Sequence, residues 1–434
     1  MRRKHPQGGR EIERHAVVTG AHRRFDAESA RAKSRPRSIL LYSHDTYGLG
    51  HFRRNSAIAH AIRRHEPGVN LVMLTGSALA GEWHLPDSVE LVRMPGVVKF
   101  GPEEYRPLAP ISMSQLRAER VGLICSTLLR VRPDVFLVDH APLGMKGELR
   151  LPLQMTHDVL LETRVVLGLR DILDDPATVR RTWTEQGVYT ALESFYDQVL
   201  VYGCRGLFDV GELYSLPRSV RRRTVFTGYV AKDYSVEPNP ASATVWNRAR
   251  RAGERRVLVM GGGGGDAAEL FRAFFGAWPR IRKTGRVRAL LVTGPLMPDS
   301  ARQEVERLAH GAAVDLIRSS TSLLSLIAAA DVVVSMGGYN SVVESLSARR
   351  ALVVFPRTAP RREQLIRARM LERLGLARVV VPSKSASREL GLAVLQALEE
   401  PSPPAHVWRQ MDLGGGDRVA HALLEPVRPQ AMAG

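Results

Sequence analysis

Short apolar runs rich in valine, leucine and isoleucine alternate with stretches of helical periodicity along most of the chain. This alternation limits the fold more than any other feature. Strands that take turns with helices pack as a parallel sheet covered on both faces, so the pattern predicts an α/β architecture. In the first half the expected strands are residues 39–42, 69–74, 89–94, 135–138, 165–167 and 198–202. A second set follows at 256–260, 289–293, 314–317, 332–335, 351–355 and 378–381. Residues 231–255 break the pattern with a polar, turn-rich stretch (Ala-Lys-Asp-Tyr-Ser-Val-Glu-Pro-Asn-Pro), and the domain boundary is placed there. The reading is a basic tail over 1–36, expected to be disordered, then an N-terminal domain over 37–235 and a C-terminal domain over 250–425.

Composition narrows the class. A chain of 434 residues with 44% apolar residues can build two sizeable cores. Cys125 and Cys204 are its two cysteines, too few for a disulfide framework or a four-cysteine zinc site, which points to a reducing, cytoplasmic compartment. No apolar run reaches the roughly 18 residues that span a bilayer. The opening Met-Arg-Arg-Lys-His-Pro has no apolar stretch behind it, so no secretion signal is expected. Net charge is +18, of which residues 1–38 carry +7. That balance suits phosphorylated substrates, nucleic acid or anionic lipid, and reflects a bias toward arginine equally well. Aromatic residues are 6% and no basic-aromatic stacking motif occurs, which argues against a nucleic-acid partner.

The chemistry concentrates in glycine turns that follow strands. Val257-Leu-Val-Met runs into five glycines, Gly261 to Gly265, before a helix pattern. Glycines let backbone N–H groups approach an anion closely, and a helix N-terminus favours negative charge, so this is a phosphate cradle. It is not the dinucleotide fingerprint, because Asp266 stands where the third glycine belongs, as Arg53 does after Gly48-Leu-Gly50. No Gly-Lys-Ser/Thr occurs, which excludes a P-loop. Asp266-Ala-Ala-Glu269 also reads as a capping box. The next such turn is Gly337-Gly338, and Ser341-Val-Val-Glu344 behind it fits either a capping box or a ribose-binding carboxylate. A third turn, from Phe355-Pro, leads to Glu363 and Gln364, which suit polyol recognition or a solvated helix start. Open α/β sheets bind ligands at the carboxyl ends of their strands, so two such domains would bring these turns into one cleft.

Taken in order, these motifs resemble the C-terminal half of GT-B glycosyltransferases, specifically the MurG-like family 28 enzymes. The residues that carry the resemblance are Gly261 to Gly265, Thr293-Gly-Pro, Ala330-Asp-Val-Val-Val-Ser-Met-Gly-Gly-Tyr-Asn-Ser-Val-Val-Glu344, and Pro356 through Arg362-Glu-Gln with Arg367-Ala. In the first half, Gly48-Leu-Gly-His51 resembles the Gly-Gly-His loop of the same enzymes. The likeness spans roughly 37–425, and the chain is most similar to a bacterial branch of predicted glycosyltransferases. It implies a GT-B fold, two Rossmann-like parallel-sheet domains facing a cleft. It implies transfer of a sugar from a UDP- or TDP-linked donor to an acceptor hydroxyl, metal-independent and inverting.

By the same resemblance Gly262, Gly263 and Gly264, with Gly338, Tyr339 and Asn340, would hold the diphosphate through backbone amides, flanked by Gly50 and Ser341. Glu344 would bind the ribose, Ser319 and Ser320 the nucleobase, and Glu363 and Gln364 the donor sugar. His51 would be the general base across the cleft, near neutral pH where imidazole is useful. Arg53 and Arg54 would add positive charge near the departing diphosphate. Asp139, at the end of a strand beside His140, orients His51, touches the acceptor or caps the turn. Asp171, Asp174 and Asp175 form a polar loop or hold an ion.

The chain departs from the family at Glu363, where glutamine is usual, and at Arg367, where asparagine is usual. That change suggests a donor sugar other than N-acetylglucosamine. With no Asp-x-Asp in the chain, no metal or cofactor is expected beyond the nucleotide sugar as co-substrate. The acceptor would be lipid-linked or a small metabolite, with docking on the inner membrane leaflet open. Two other readings remain: a sugar-nucleotide 2-epimerase or hydrolase on the same fold, and a non-enzymatic basic nucleic-acid-binding protein.

Overall fold

The computed structural model describes residues 36–44, 50–82, 85–99, 105–231, 251–320, 323–400, 403 and 405–425. The expected basic tail, the Tyr47-Gly48-Leu49 part of the first turn and most of the 231–255 boundary lie outside the described residues.

Each apolar run expected as a strand is one. The N-terminal sheet contains β1 (Ser38–Ser43), β2 (Asn70–Thr75) and β3 (Val89–Arg93). A short antiparallel hairpin, β4 (Val97–Lys99) and β5 (Tyr105–Pro107), follows outside the sheet. The sheet continues with β6 (Val135–Asp139), β7 (Arg164–Arg170), β8 (Gln198–Tyr202) and β9 (Thr224–Phe226). Its strands are all parallel, in the order β3-β2-β1-β6-β7-β8-β9. The C-terminal sheet holds β10 (Arg255–Met260), β11 (Val287–Val292), β12 (Asp315–Ile317), β13 (Val332–Ser335), β14 (Ala351–Val354) and β15 (Arg378–Val379). It too is parallel, in the order β12-β11-β10-β13-β14-β15. Helices cover both faces, which is why β1 and β6 are buried along their whole length and read as unbroken apolar runs. The hairpin and β9 are too short, and β9 too close to the sheet edge, to have shown in the sequence pattern.

The strand order fixes where a ligand can sit. In each sheet the chain runs outward from one central strand, returns, and continues on the other side. The first sheet reverses between β1 and β6, the second between β10 and β13. A crevice opens beyond the carboxyl ends of two strands at such a reversal. Tyr42 pairs with Val138 in the first sheet, and Met260 with Ser335 in the second. The segments just beyond those pairs therefore begin at the same level and line each crevice.

Several contacts hold the two domains together across this region. Asn340 Nδ2 donates to the Gly50 carbonyl at 2.9 Å. The Arg362 N–H donates to Asp174 at 2.8 Å, and the Arg367 guanidinium lies 3.6 Å from Asp171. The last described helix, Gly415–Leu424, crosses back onto the N-terminal domain, where Arg64 and His65 reach Asp417 at 2.8 and 3.0 Å. No helix among the described residues is long and apolar enough to cross a membrane.

Candidate active site

The two crevices face each other and merge into a cleft of about 380 Å³. Its C-terminal wall is built first from the turn after β10. Gly262 and Gly264 have φ of 62° and 96°, the left-handed region that glycine enters without strain. Gly264 N–H returns to the Gly261 carbonyl at 3.0 Å, closing the turn. The N–H groups of Gly262 and Gly263 take no partner among the described residues. A second element is the helix Tyr339–Ser347, whose first internal bond runs from Val342 N–H to the Gly338 carbonyl at 3.0 Å. The three N–H groups before it stand at the positive end of the helix dipole with no side-chain cap. Two anion-seeking backbone elements thus meet at the reversal between β10 and β13.

The opposite wall carries His51, in the first turn of the helix Gly50–His65. Its Nδ1 is 2.6 Å from Asp139 Oδ2, at the carboxyl end of β6. Arg54 Nη2 also lies 2.9 Å from this nitrogen; with the ring proton on Nδ1 and directed at the closer carboxylate, Nε2 is left as the base. Asp139 is fully buried and also takes Arg54, from Nε at 3.0 Å and from Nη2 at 2.8 and 2.7 Å. Burial disfavours the Asp139 charge, but Arg54 and His51 outweigh it and hold its pKa below the ordinary carboxylate value. Burial likewise lowers His51 from 6.5 against the pull of Asp139, so the ring is neutral near pH 7. Arg54 is sandwiched between Tyr202 and Tyr339, each ring centroid 5.6 Å from its guanidinium carbon.

At one end of the cleft Arg357 bridges Asp266 at 2.6 Å and Glu363 at 2.7 Å. Glu363 Oε2 is buried without a hydrogen-bond partner, while the Arg357 N–H holds Gln364 Oε1 at 2.9 Å. Pro295, Leu296 and Leu323 join Ser319 and Ser320 as a partly apolar slot of the same cleft.

Of the residues expected at the site, Gly50, His51, Gly262, Gly263, Gly264, Ser320, Gly338, Tyr339, Asn340, Ser341, Glu363 and Gln364 line this cleft. Asp139 stands behind His51, and Glu344 stands behind Arg53, whose guanidinium it accepts.

Residues 256–411 match the glycosyltransferase family 28 C-terminal domain. No curated protein sequence matches the chain. A UDP-glucosyltransferase from Polygonum tinctorium, capable of glucosylating indoxyl, superposes with a TM-score of 0.59 at 12% identity, over 90% of this chain and 98% of that one. The glycotransferase of kitacinnamycin gives 0.55 at 16% identity, over 90% and 96%. MurG of Acinetobacter baumannii gives 0.53 at 13% identity, over 89% and 99%. The chain is a glycosyltransferase of GT-B fold.

Several expectations about this glycosyltransferase are corrected. Neither capping box forms. Asp266 pairs with Arg357, and the helix behind it begins after Ala267 with no side-chain cap. Ser341 and Glu344 lie inside a helix whose N-cap is Gly338. Arg53 and Arg54 do line the cleft, each with a carboxylate partner that the sequence did not show, Glu344 and Asp139. Arg367 is not among the residues that line the cleft. Its buried guanidinium reaches the Gly337 and Ile172 carbonyls at 3.1 and 3.3 Å, beside Asp171, and so ties the domains together. The three carboxylates after β7 do not gather round an ion: Asp171 accepts from the Tyr229 hydroxyl at 2.8 Å, Asp174 from Arg362, and Asp175 caps a helix. Two lining residues, Arg170 and Arg357, were not singled out in the sequence. Arg170 lies in the same Leu-Arg-Asp stretch whose carboxylates had drawn notice.

Proposed function

We propose that this enzyme moves a sugar from a nucleoside-diphosphate sugar to an acceptor hydroxyl by direct displacement, with inversion and without a metal ion. The observation that carries the reading is the placement of the His51–Asp139 pair across one cleft from two uncapped backbone anion sites. The acceptor oxygen attacks the anomeric carbon as His51 Nε2 takes its proton. The bond to the diphosphate breaks, and its charge is met by the Gly262–Gly264 turn and the N–H groups of Tyr339, Asn340 and Ser341. Asp139 keeps the His51 proton on Nδ1 and stabilises the imidazolium that forms.

The nucleobase enters the slot between Leu296 and Leu323, and Glu363 with Gln364 takes donor-sugar hydroxyls. Glu344 serves the ribose by joining or displacing Arg53. The Polygonum tinctorium relative is a UDP-glucosyltransferase, which supports a UDP-linked donor. The order of motifs favours the MurG-like branch. A formal charge of +18 suits an anionic inner-leaflet surface or a charged acceptor, lipid-linked or small.

The test is release of nucleoside diphosphate from UDP-, TDP- and GDP-sugars with and without an acceptor panel. Acceptor-dependent release that falls about 10²- to 10⁴-fold in His51→Ala supports the reading. Release that needs no acceptor would point to a hydrolase.

A further inference from the structure

Five arginines surround the transfer centre, and four have carboxylate partners. Arg53 pairs with Glu344, Arg54 with Asp139, Arg357 with Asp266 and Glu363, and Arg367 with Asp171. Arg170 has none among the described residues. It ends β7, lines the cleft, and its buried Nε has no hydrogen-bond partner. Among the described residues its hydrogen-bond contact runs from Nη2 to His140 Nε2 at 3.4 Å. His140 follows Asp139 directly and holds a left-handed backbone, with φ of 68°, a strained conformation for a non-glycine residue. That turn sets its ring 4.8 Å from the His51 ring. Burial and the neighbouring Arg54 and Arg367 charges lower the Arg170 pKa to about 10, against the opposing pull of the Glu363 and Asp139 carboxylates. A partly desolvated guanidinium with no carboxylate in direct contact is unfavourable unless an anion joins it.

We infer that Arg170 binds a phosphate or carboxylate carried by the acceptor, within about one sugar ring of the attacked hydroxyl. The inference rests on the glycosyl-transfer reading above. It places the anion on the acceptor because Arg170 stands on the His51 wall of the cleft. The donor diphosphate already has its two backbone cradles on the opposite wall. Arg170, bridged to His51 by His140, thus selects acidic acceptors and sets the attacked oxygen beside the base.

The test is calorimetric and uses the full chain. UDP, TDP or GDP is first bound to saturation, which fills the backbone cradles. The complex is then titrated with sn-glycerol 3-phosphate, glycerate and glycerol as probes. The expected result is that an anionic probe binds at least ten-fold tighter than glycerol. Arg170→Gln should abolish that preference, Arg170→Lys should retain part of it, and nucleotide affinity should change less than two-fold. Folding is checked by Tm, which should stay level or rise in Arg170→Gln because a half-buried cation without a carboxylate partner is removed. Equal binding of the anionic and neutral probes overturns the inference. So does an Arg170→Gln variant that loses nucleotide affinity instead, which would assign Arg170 to the donor. Failure of all three nucleotides to bind overturns the transfer reading itself, and the inference with it.

Discussion

Tyr339, at the start of a C-terminal-domain helix, donates its hydroxyl proton to the backbone carbonyl of Tyr202 in the N-terminal sheet at 3.1 Å. The same oxygen accepts from the Val230 N–H at 3.0 Å. One buried side chain therefore serves both a domain-crossing bond and the helix that offers its N-terminus to the cleft. Tyr339→Phe leaves a buried N–H without its acceptor. It should lower unfolding free energy by about 1–3 kcal/mol, measured by urea denaturation.

His51 and Asp139 act as a pair but differ in what they support. The His51 side chain is 19% exposed, and its removal should change stability little. Asp139→Asn leaves Arg54 buried without its counter-charge, which should cost about 3–5 kcal/mol. It also removes the anion that holds the proton on His51 Nδ1. Both variants should lose activity about 10²- to 10⁴-fold, but only Asp139→Asn should show a lowered Tm.

The histidines also predict a pH dependence. Burial holds His44 and His140 well below 6.5 and His51 below it. In the unfolded chain these imidazoles take protons near 6.5, while in the native protein they do not. Stability is therefore complete above pH 6.5 and falls as pH drops below it, because the unfolded state binds more protons. Turnover should follow the same direction, rising through an apparent pKa below 6.5 and levelling toward neutrality, as His51 must be unprotonated to act as base. Denaturation and rate profiles between pH 5 and 8 check both.

The glycines of the β10 turn separate fold from ligand. A methyl group at Gly264 would sit 2.6 Å from the Thr293 carbonyl oxygen in a left-handed backbone, so Gly264→Ala should destabilise the domain. At Gly262 nothing lies within 4 Å of that position. Gly262→Ala should cost only the left-handed strain of about 1–2 kcal/mol, while its methyl group crowds the cleft. Comparing Tm with nucleotide affinity in the two variants tests the assignment.

Much of this was legible in the sequence because it is local. A buried strand, a glycine turn and a helix start lie within about a dozen residues of each other, so Gly262, Gly338, His51 and Glu363 could each be placed at the mouth of a sheet. Pairings across the chain were not legible. Arg54 meets Asp139 only because β1 and β6 lie side by side in the first sheet, Tyr339 meets Tyr202 only because the two domains face each other, and no spacing rule links those positions. Ser341 and Glu344 show the opposite failure. Their pattern fits a capping box, but the helix begins earlier, at Tyr339, which left Glu344 on a buried face against Arg53. Arg170 went unremarked for a related reason, since what marks it is the lack of a carboxylate among neighbours that only the fold supplies.

The most direct test of the central claim is calorimetric titration of UDP, TDP and GDP against the wild type and Gly338→Val. Gly338 has an ordinary backbone, with φ of −62°, and open space where a side chain would go. The variant should stay folded while its side chain blocks the helix N-terminus. One nucleotide should bind the wild type and bind Gly338→Val at least ten-fold more weakly, at nearly unchanged Tm. A nucleotide that binds both proteins equally, or no binding to the wild type by any of the three, would contradict that claim.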